Sequence, residues 1–249
     1  MDLQQLPMRA RQASLLGATE LAARTGLSRP TLYRVLGGRP PRIDDLRELA
    51  LACGFDIDAA LIPVSDPLAA VAARAALGDP DVAEWSDSAT AWLERLQRYV
   101  AAGSEADVQV ALIDEAGRAS APAQREGSIH LRGDARYVDR LVSAGSASGD
   151  DWALSGWAAL DAMEIDADAP TILWTPEPRR VAQLLADSFR PGLAGLSDLI
   201  LTPAHPSVFA GALEIDSVRL VAPIQAHIDA VGLGEAPRSA ALAHLRRER

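Results

Sequence analysis

The chain has 249 residues, 49% of them hydrophobic, enough for one large domain or two small ones with real cores. A formal net charge of −10 argues, on average, against a polyanionic partner. The single cysteine, Cys53, excludes an intrachain disulfide framework and fits a reducing compartment. The opening stretch MDLQQLPMRARQ lacks the apolar segment of a secretory signal, and no run of about 18 apolar residues is present to span a bilayer. The expectation is a soluble, cytoplasmic chain with no membrane contact.

That average conceals an asymmetry. The chain has no lysine, and together with its alanine richness this matches a GC-rich coding bias. Residues 9–42 nevertheless carry seven arginines (9, 11, 24, 29, 34, 39 and 42) against one acid, Glu20. The local charge is +6, leaving −16 for the rest. Such a division suggests a basic head that meets an anion and an acidic body that does not.

Residues 1–64 read as an all-α, five-helix head. GATELAARTGLSRPTLYRVLGGR (17–39) has the spacing of a helix-turn-helix. Leu21 and Ala22 face inward from one helix, Gly26 supplies the sharp turn, and Leu32, Val35 and Leu36 pack the next helix back at i, i+3, i+4. Ser28 is a natural N-cap, Pro30 falls in the first turn, and Gly37-Gly38 stops the helix. Arg29, Thr31, Tyr33 and Arg34 are left outward or half outward, with side chains suited to base edges and phosphates in a major groove. A further helix follows, with Ile43, Leu46, Leu49, Ala50 and Cys53 as its apolar stripe and Asp44 and Asp45 in its first turn. Residues 56–61 read as a short closing helix.

On these features the head resembles the Cro/C1-type, Xre-like helix-turn-helix domains. The resemblance implies that Arg29, Thr31, Tyr33 and Arg34 read bases, and that Ser28, Arg39 and Arg42 hold the sugar-phosphate backbone. Ala18 stands where many members have a DNA-contacting glutamine. The competing reading is a protein-binding module whose arginines are simply solvated. Cys53 reads as core.

Residues 65–104 read as a helical connector. A short helix follows Pro67, then a Gly-Asp-Pro break, then a helix with Trp85, Ala89, Trp92, Leu93, Leu96 and Val100 on one face. The stretch AAGSEAD (101–107) is the best linker candidate.

Residues 105–249 read as a mixed α/β body. Expected strands are 128–132, WALS (152–155), 171–175 and 198–202, with further strands near 208–221. Expected helices run from Asp134 to about Ala144, over 157–163 and 179–189, and from Pro223 and about Pro237, with a polar loop SAGSASGDD between.

One reading of the body is catalytic. A strand ending in Ser-Gly, a helix, and the acids Asp166 and Asp168 suggest the start of a nucleotidyltransferase fold, in which paired carboxylates hold a metal beside a triphosphate. Pro170 follows these acids at once, however, and TILWT has no carboxylate. The other reading is a resemblance. WALSGWAAL, TILW, the late strand running into Ala222-Pro223-Ile224-Gln225, and the charged terminal helix resemble the C-terminal domain of AbiEi-type antitoxins of type IV toxin–antitoxin systems, over roughly residues 125–249. That resemblance implies a DNA-binding autorepressor without a reaction of its own and with a cognate toxin as partner. A Cro/C1-like head replaces the winged helix usual there.

Other chemistries fail on spacing. His130, His205, His227 and His244 are scattered, Ser155 is not in a nucleophile elbow, and no Gly-rich phosphate loop occurs. No catalytic residue, metal or cofactor is therefore expected. The function expected is a sequence-specific transcriptional regulator, a homodimer on double-stranded operator DNA. Two alternatives stand beside it: a DNA-tethered nucleotidyltransferase-like enzyme, and a repressor sensing a small effector near Trp152, Trp157 and Trp174.

Overall fold

In the computed structural model, which describes residues 5–58, 62–100 and 104–247, the chain divides between Ile62 and Pro63. The first unit is all helical, and the second combines helices with a mixed sheet.

Among its described residues the first unit has four helices: α1 (Leu6–Ser14), α2 (Ala18–Thr25), α3 (Arg29–Leu36) and α4 (Ile43–Ala52). Leu21, Leu32, Val35, Leu36, Leu49 and Cys53 form its core. Helical spacing puts these side chains on facing stripes. Ile43 departs from the expected stripe and is 78% exposed. It opens α4, and a first-turn side chain leans back past the helix end rather than onto its neighbours. The expected closing helix is not formed over residues 56–58, which are irregular, and residues 59–61 lie outside the described residues.

The second unit has strands β1 (Ile129–Arg132), β2 (Ala153–Gly156), β3 (Thr171–Thr175), β4 (Arg190–Pro191), β5 (Leu199–Pro203), β6 (Leu213–Ile215) and β7 (Val218–Leu220). They form one sheet in the order β4-β1-β5-β3-β2-β7-β6. The pairs β3–β5 and β2–β7 are parallel and the others antiparallel. Helix α10 (Pro178–Leu184) crosses between the parallel strands β3 and β5 and packs on α8 (Val138–Ser148). Helix α8 begins four residues later than expected, because Asp134 Oδ1 accepts the Arg136 N–H at 3.2 Å and makes a turn first. It also runs on through most of the expected polar loop, where Ala144, Gly145 and Ser148 are buried.

The helices expected as a connector within 65–104 belong instead to the second unit. Helices α5 (Pro67–Ala76) and α6 (Thr90–Val100) share a core with α7 (Glu105–Ala119), α11 (Pro223–Gly232) and α12 (Glu235–Arg247), through Val71, Leu96, Leu112, Ile113, Ile228 and Leu245. Arg74, fully buried on α5, ties this layer to the chain after β5. Its guanidinium pairs with Asp79 at 2.8 Å and donates to the carbonyls of Ser207 and Ala210 at 2.9 Å each. Helix α7 answers to no expected element, although its start is legible. Ser104 Oγ accepts the Asp107 N–H at 3.3 Å and bonds the Asp107 carboxylate at 2.6 Å.

A buried polar knot joins α11 to the sheet. Asp229 Oδ2 accepts from Ser155 Oγ on β2 at 2.6 Å and from Trp174 Nε1 on β3 at 2.9 Å. Its Oδ1 accepts from Gln225 Nε2 at 2.8 Å. Burial pushes the Asp229 pKa above the ordinary carboxyl value, against the three hydrogen bonds and the Arg125 charge, which favour ionisation. A carboxyl raised in this way stabilises the fold fully below its unfolded pKa and loses that contribution as pH rises through the folded value.

Asp229→Asn should therefore gain stability relative to the parent as pH rises above the ordinary carboxyl value. The asparagine Oδ1 takes the Ser155 and Trp174 bonds, and a flipped Gln225 amide accepts from Nδ2. Asp229→Leu should cost roughly 3 kcal/mol or more by orphaning three buried donors. Urea unfolding followed by tryptophan fluorescence measures both. A pH-independent difference between parent and Asn variant would refute the assignment.

Candidate nucleic-acid interface

The interface is built by the turn between α2 and α3. Thr25, buried at the end of α2, donates from Oγ1 to the Leu21 carbonyl at 2.8 Å and accepts the Leu27 N–H at 3.2 Å. Gly26 follows at φ +66° with no atom within 4 Å of where a Cβ would stand, so backbone strain alone, not space, selects glycine there. Thr25 had no place in the sequence reading; a β-branched hydroxyl just before a turn glycine is its only signal.

Ser28 then caps α3. Its Oγ accepts the Thr31 N–H at 3.3 Å and lies 2.9 Å from Thr31 Oγ1. Pro30 sits in the first turn, where an N–H has no helical partner to lose. Leu32, Val35 and Leu36 point into the core. Arg29, Tyr33 and Arg34 are thereby left exposed on the outer side, Tyr33 at 62%. Thr31 is half-buried, and its hydroxyl is engaged with Ser28. Arg39 and Arg42 are exposed in the segment between α3 and α4. Ala18, half-buried, opens α2 after Gly17.

Carboxylates neutralise part of this surface and spare the rest. Arg24 pairs with Glu20 at 2.7 Å and Arg47 with Asp56 at 3.6 Å. Among the described residues, Arg29, Arg34, Arg39 and Arg42 have no carboxylate within 4.0 Å. These four exposed guanidiniums are free to meet an external anion. They are fork-shaped donors matched to phosphate and to guanine.

The residues of the alternative readings lie elsewhere. Asp166 and Asp168 are exposed in the loop before β3, and Asp168 lies 3.6 Å from Arg136. They do not converge beside Gly156 on adjacent strands. Among the described residues, no three His, Cys, Asp or Glu side chains are grouped to hold a metal ion. Trp152 and Trp174 are core residues, while Trp157 is partly buried with Arg136 stacked 4.3 Å from its ring centroid. Ser155 is fully buried on Asp229. His130 bridges Ser197 and the Ala123 carbonyl, His205 bonds Ser207, and His227 faces His244. Burial, followed by the Arg125 charge, pushes the His205 pKa down. Cys53 is buried with its thiol free.

Residues 8–61 match the family model of a helix-turn-helix domain. No curated protein and no solved structure matches the chain. The first unit thus carries a helix-turn-helix, the head of a DNA-binding regulator. Among the described residues, no helix is long and apolar enough to cross a membrane.

Proposed function

We propose that the chain is a sequence-specific transcriptional regulator that binds double-stranded operator DNA as a homodimer, with α3 in the major groove. The observation that carries this reading is the free, exposed set Arg29, Arg34, Arg39 and Arg42 around a capped α3. Arg29, Thr31, Tyr33 and Arg34 are assigned to bases, Ser28, Arg39 and Arg42 to the backbone. Thr31 contributes through its methyl group, because its hydroxyl is engaged with Ser28. A two-fold dimer would place two such helices in successive major grooves about 34 Å apart. The acidic remainder of the chain would limit nonspecific wrapping.

Arg34→Ala should cost roughly 1–3 kcal/mol and relax preference at one base position. Arg39→Ala should weaken all sequences alike and reduce the slope of log affinity against log salt by about one. Binding to a randomised duplex pool at several salt concentrations measures both, and footprinting should show a two-fold-related site. Identical sequence profiles for the two variants would refute the division of contacts.

We further infer an autorepressing antitoxin role with a toxin as partner. This rests on the resemblance of residues 125–249 to the AbiEi-type C-terminal domain. Co-expression with the product of the adjacent reading frame should relieve that product's toxicity. A harmless neighbour, or toxicity left unrelieved, would remove this role and leave operator binding in place.

We also propose that the chain has no reaction of its own. The exposure of Asp166 and Asp168 in a loop supports this, because triphosphate chemistry needs metal held by rigidly placed carboxylates. Incubation with labelled nucleoside triphosphates, Mg²⁺ and mixed RNA should give no transfer. Label transfer abolished by Asp166→Asn with Asp168→Asn would establish the enzymatic alternative.

A further inference from the structure

Sheet register creates an unusual charge arrangement at the β4 edge. Arg132 ends β1, Arg190 opens β4, and the antiparallel pairing sets them directly opposite each other. Like charges in that position repel across the strands. Among the described residues the Arg190 side chain has no hydrogen bond and no ion pair, and the one carboxylate within 4.0 Å of the Arg132 guanidinium is that of Asp198, at 3.8 Å. Asp198 is itself partly committed, since its Oδ2 accepts the Gly133 N–H at 3.0 Å.

Both arginines open onto a cleft of about 430 Å³, lined also by Gly133, Asp187, Ser188 and Phe189. Ser188 in the cleft wall accepts from Arg140 Nη1, which lies outside the lining. Two glycines make the arrangement sterically possible. A Cβ at Gly192 would stand 2.9 Å from Arg132 Cγ, and one at Gly133 2.6 Å from the Phe189 ring. Either would displace a wall of the cleft.

We propose that this cleft binds a small sugar phosphate, with Arg132 and Arg190, which line it from directly opposed positions on paired strands, clamping the phosphate group. Two arginine forks present parallel N–H donors that match phosphate oxygens, and the anion relieves the repulsion between them. Asp187 and Asp198, also in the lining, are acceptors suited to ligand hydroxyls. The volume lies within the range of small-molecule sites. A nucleic-acid backbone is disfavoured as occupant. The chain outside residues 9–42 carries −16, which repels an extended polyanion but leaves a single phosphate group accessible to a local clamp. This site is independent of the operator reading, and its test involves no DNA.

The full-length protein is titrated with ribose 5-phosphate, inorganic phosphate and ribose at constant ionic strength. Binding is read from the arginine Nε–Hε resonances by ¹H–¹⁵N NMR. Saturable shifts should occur with both phosphates and not with ribose, and ribose 5-phosphate should bind about tenfold more tightly than phosphate. Arg190→Ala and Arg132→Gln should each weaken binding by about tenfold or more, while Arg179→Ala, at an exposed position of α10, should leave it unchanged. An unchanged urea midpoint establishes that each variant is folded, and either variant alone suffices for the test. No saturable response to the phosphates, or equal binding by the parent and a folded clamp variant, would overturn the site. Equal affinity for phosphate and ribose 5-phosphate would overturn the assigned ligand class.

Discussion

The Asp229 carboxylate accepts hydrogen bonds from Ser155 on β2, Trp174 on β3 and Gln225 on its own helix, α11. Two directional bonds from neighbouring strands to one buried group hold α11 against the sheet at one depth and one rotation, and the third, within α11, orients the carboxylate. The opposite side of α11 is then presented to α7 and α12 through Ile228 and Val231. Hydrophobic burial supplies most of the driving force for that layer, but apolar contacts alone would tolerate sliding. The guanidinium of Arg125, stacked 4.9 Å from the Trp174 ring centroid, adds a cation beside the knot without forming an ion pair. Arg74 acts comparably farther out, satisfying a buried charge with one carboxylate and two carbonyls.

The first unit solves a different problem. Its core is small, and the geometry of α2 and α3 depends on a four-residue turn in which each member has a separate task. Thr25 ends one helix, Gly26 takes the left-handed conformation, Leu27 is half-buried, and Ser28 caps the next helix. With Leu32, Val35 and Leu36 committed inward, the 3.6-residue period leaves Arg29, Tyr33 and Arg34 no position but the outside. Their freedom from carboxylates follows from sequence as much as from folding, since Glu20 is the only acid between residues 9 and 42 and Arg24 occupies it. A net acidic chain can therefore present a strongly basic surface.

Legibility from the sequence is greatest where contacts are local. Caps, turn glycine and helical stripe all lie within a few residues of one another in 17–39, and the strand Thr171–Thr175 is bounded by its own β-branched and aromatic run. It is lost where a segment owes its role to distant partners. Helix α7 has an ordinary composition, and its burial comes from α5 and α11. The polar-looking stretch after Arg140 is helical because Ala144, Gly145 and Ser148 are small enough to be buried there. Ile43 fits the stripe of α4, yet nothing packs over a first-turn side chain at that end.

The amino-acid sequence by itself determined the basic head, its second helix and its Ser28-capped third helix, the outward set of arginines, and a body of alternating strands and helices. Those properties depend on charge, periodicity and turn chemistry, which act over a few residues. Tertiary structure alone decided that α5 and α6 belong to the second unit's core, that Ser155 and Asp229 bond each other, and that Arg132 stands opposite Arg190 in the sheet. Each of these joins residues well separated along the chain, and strand register, which sets the last of them, depends on the pattern of burial across the whole sheet rather than on either strand alone.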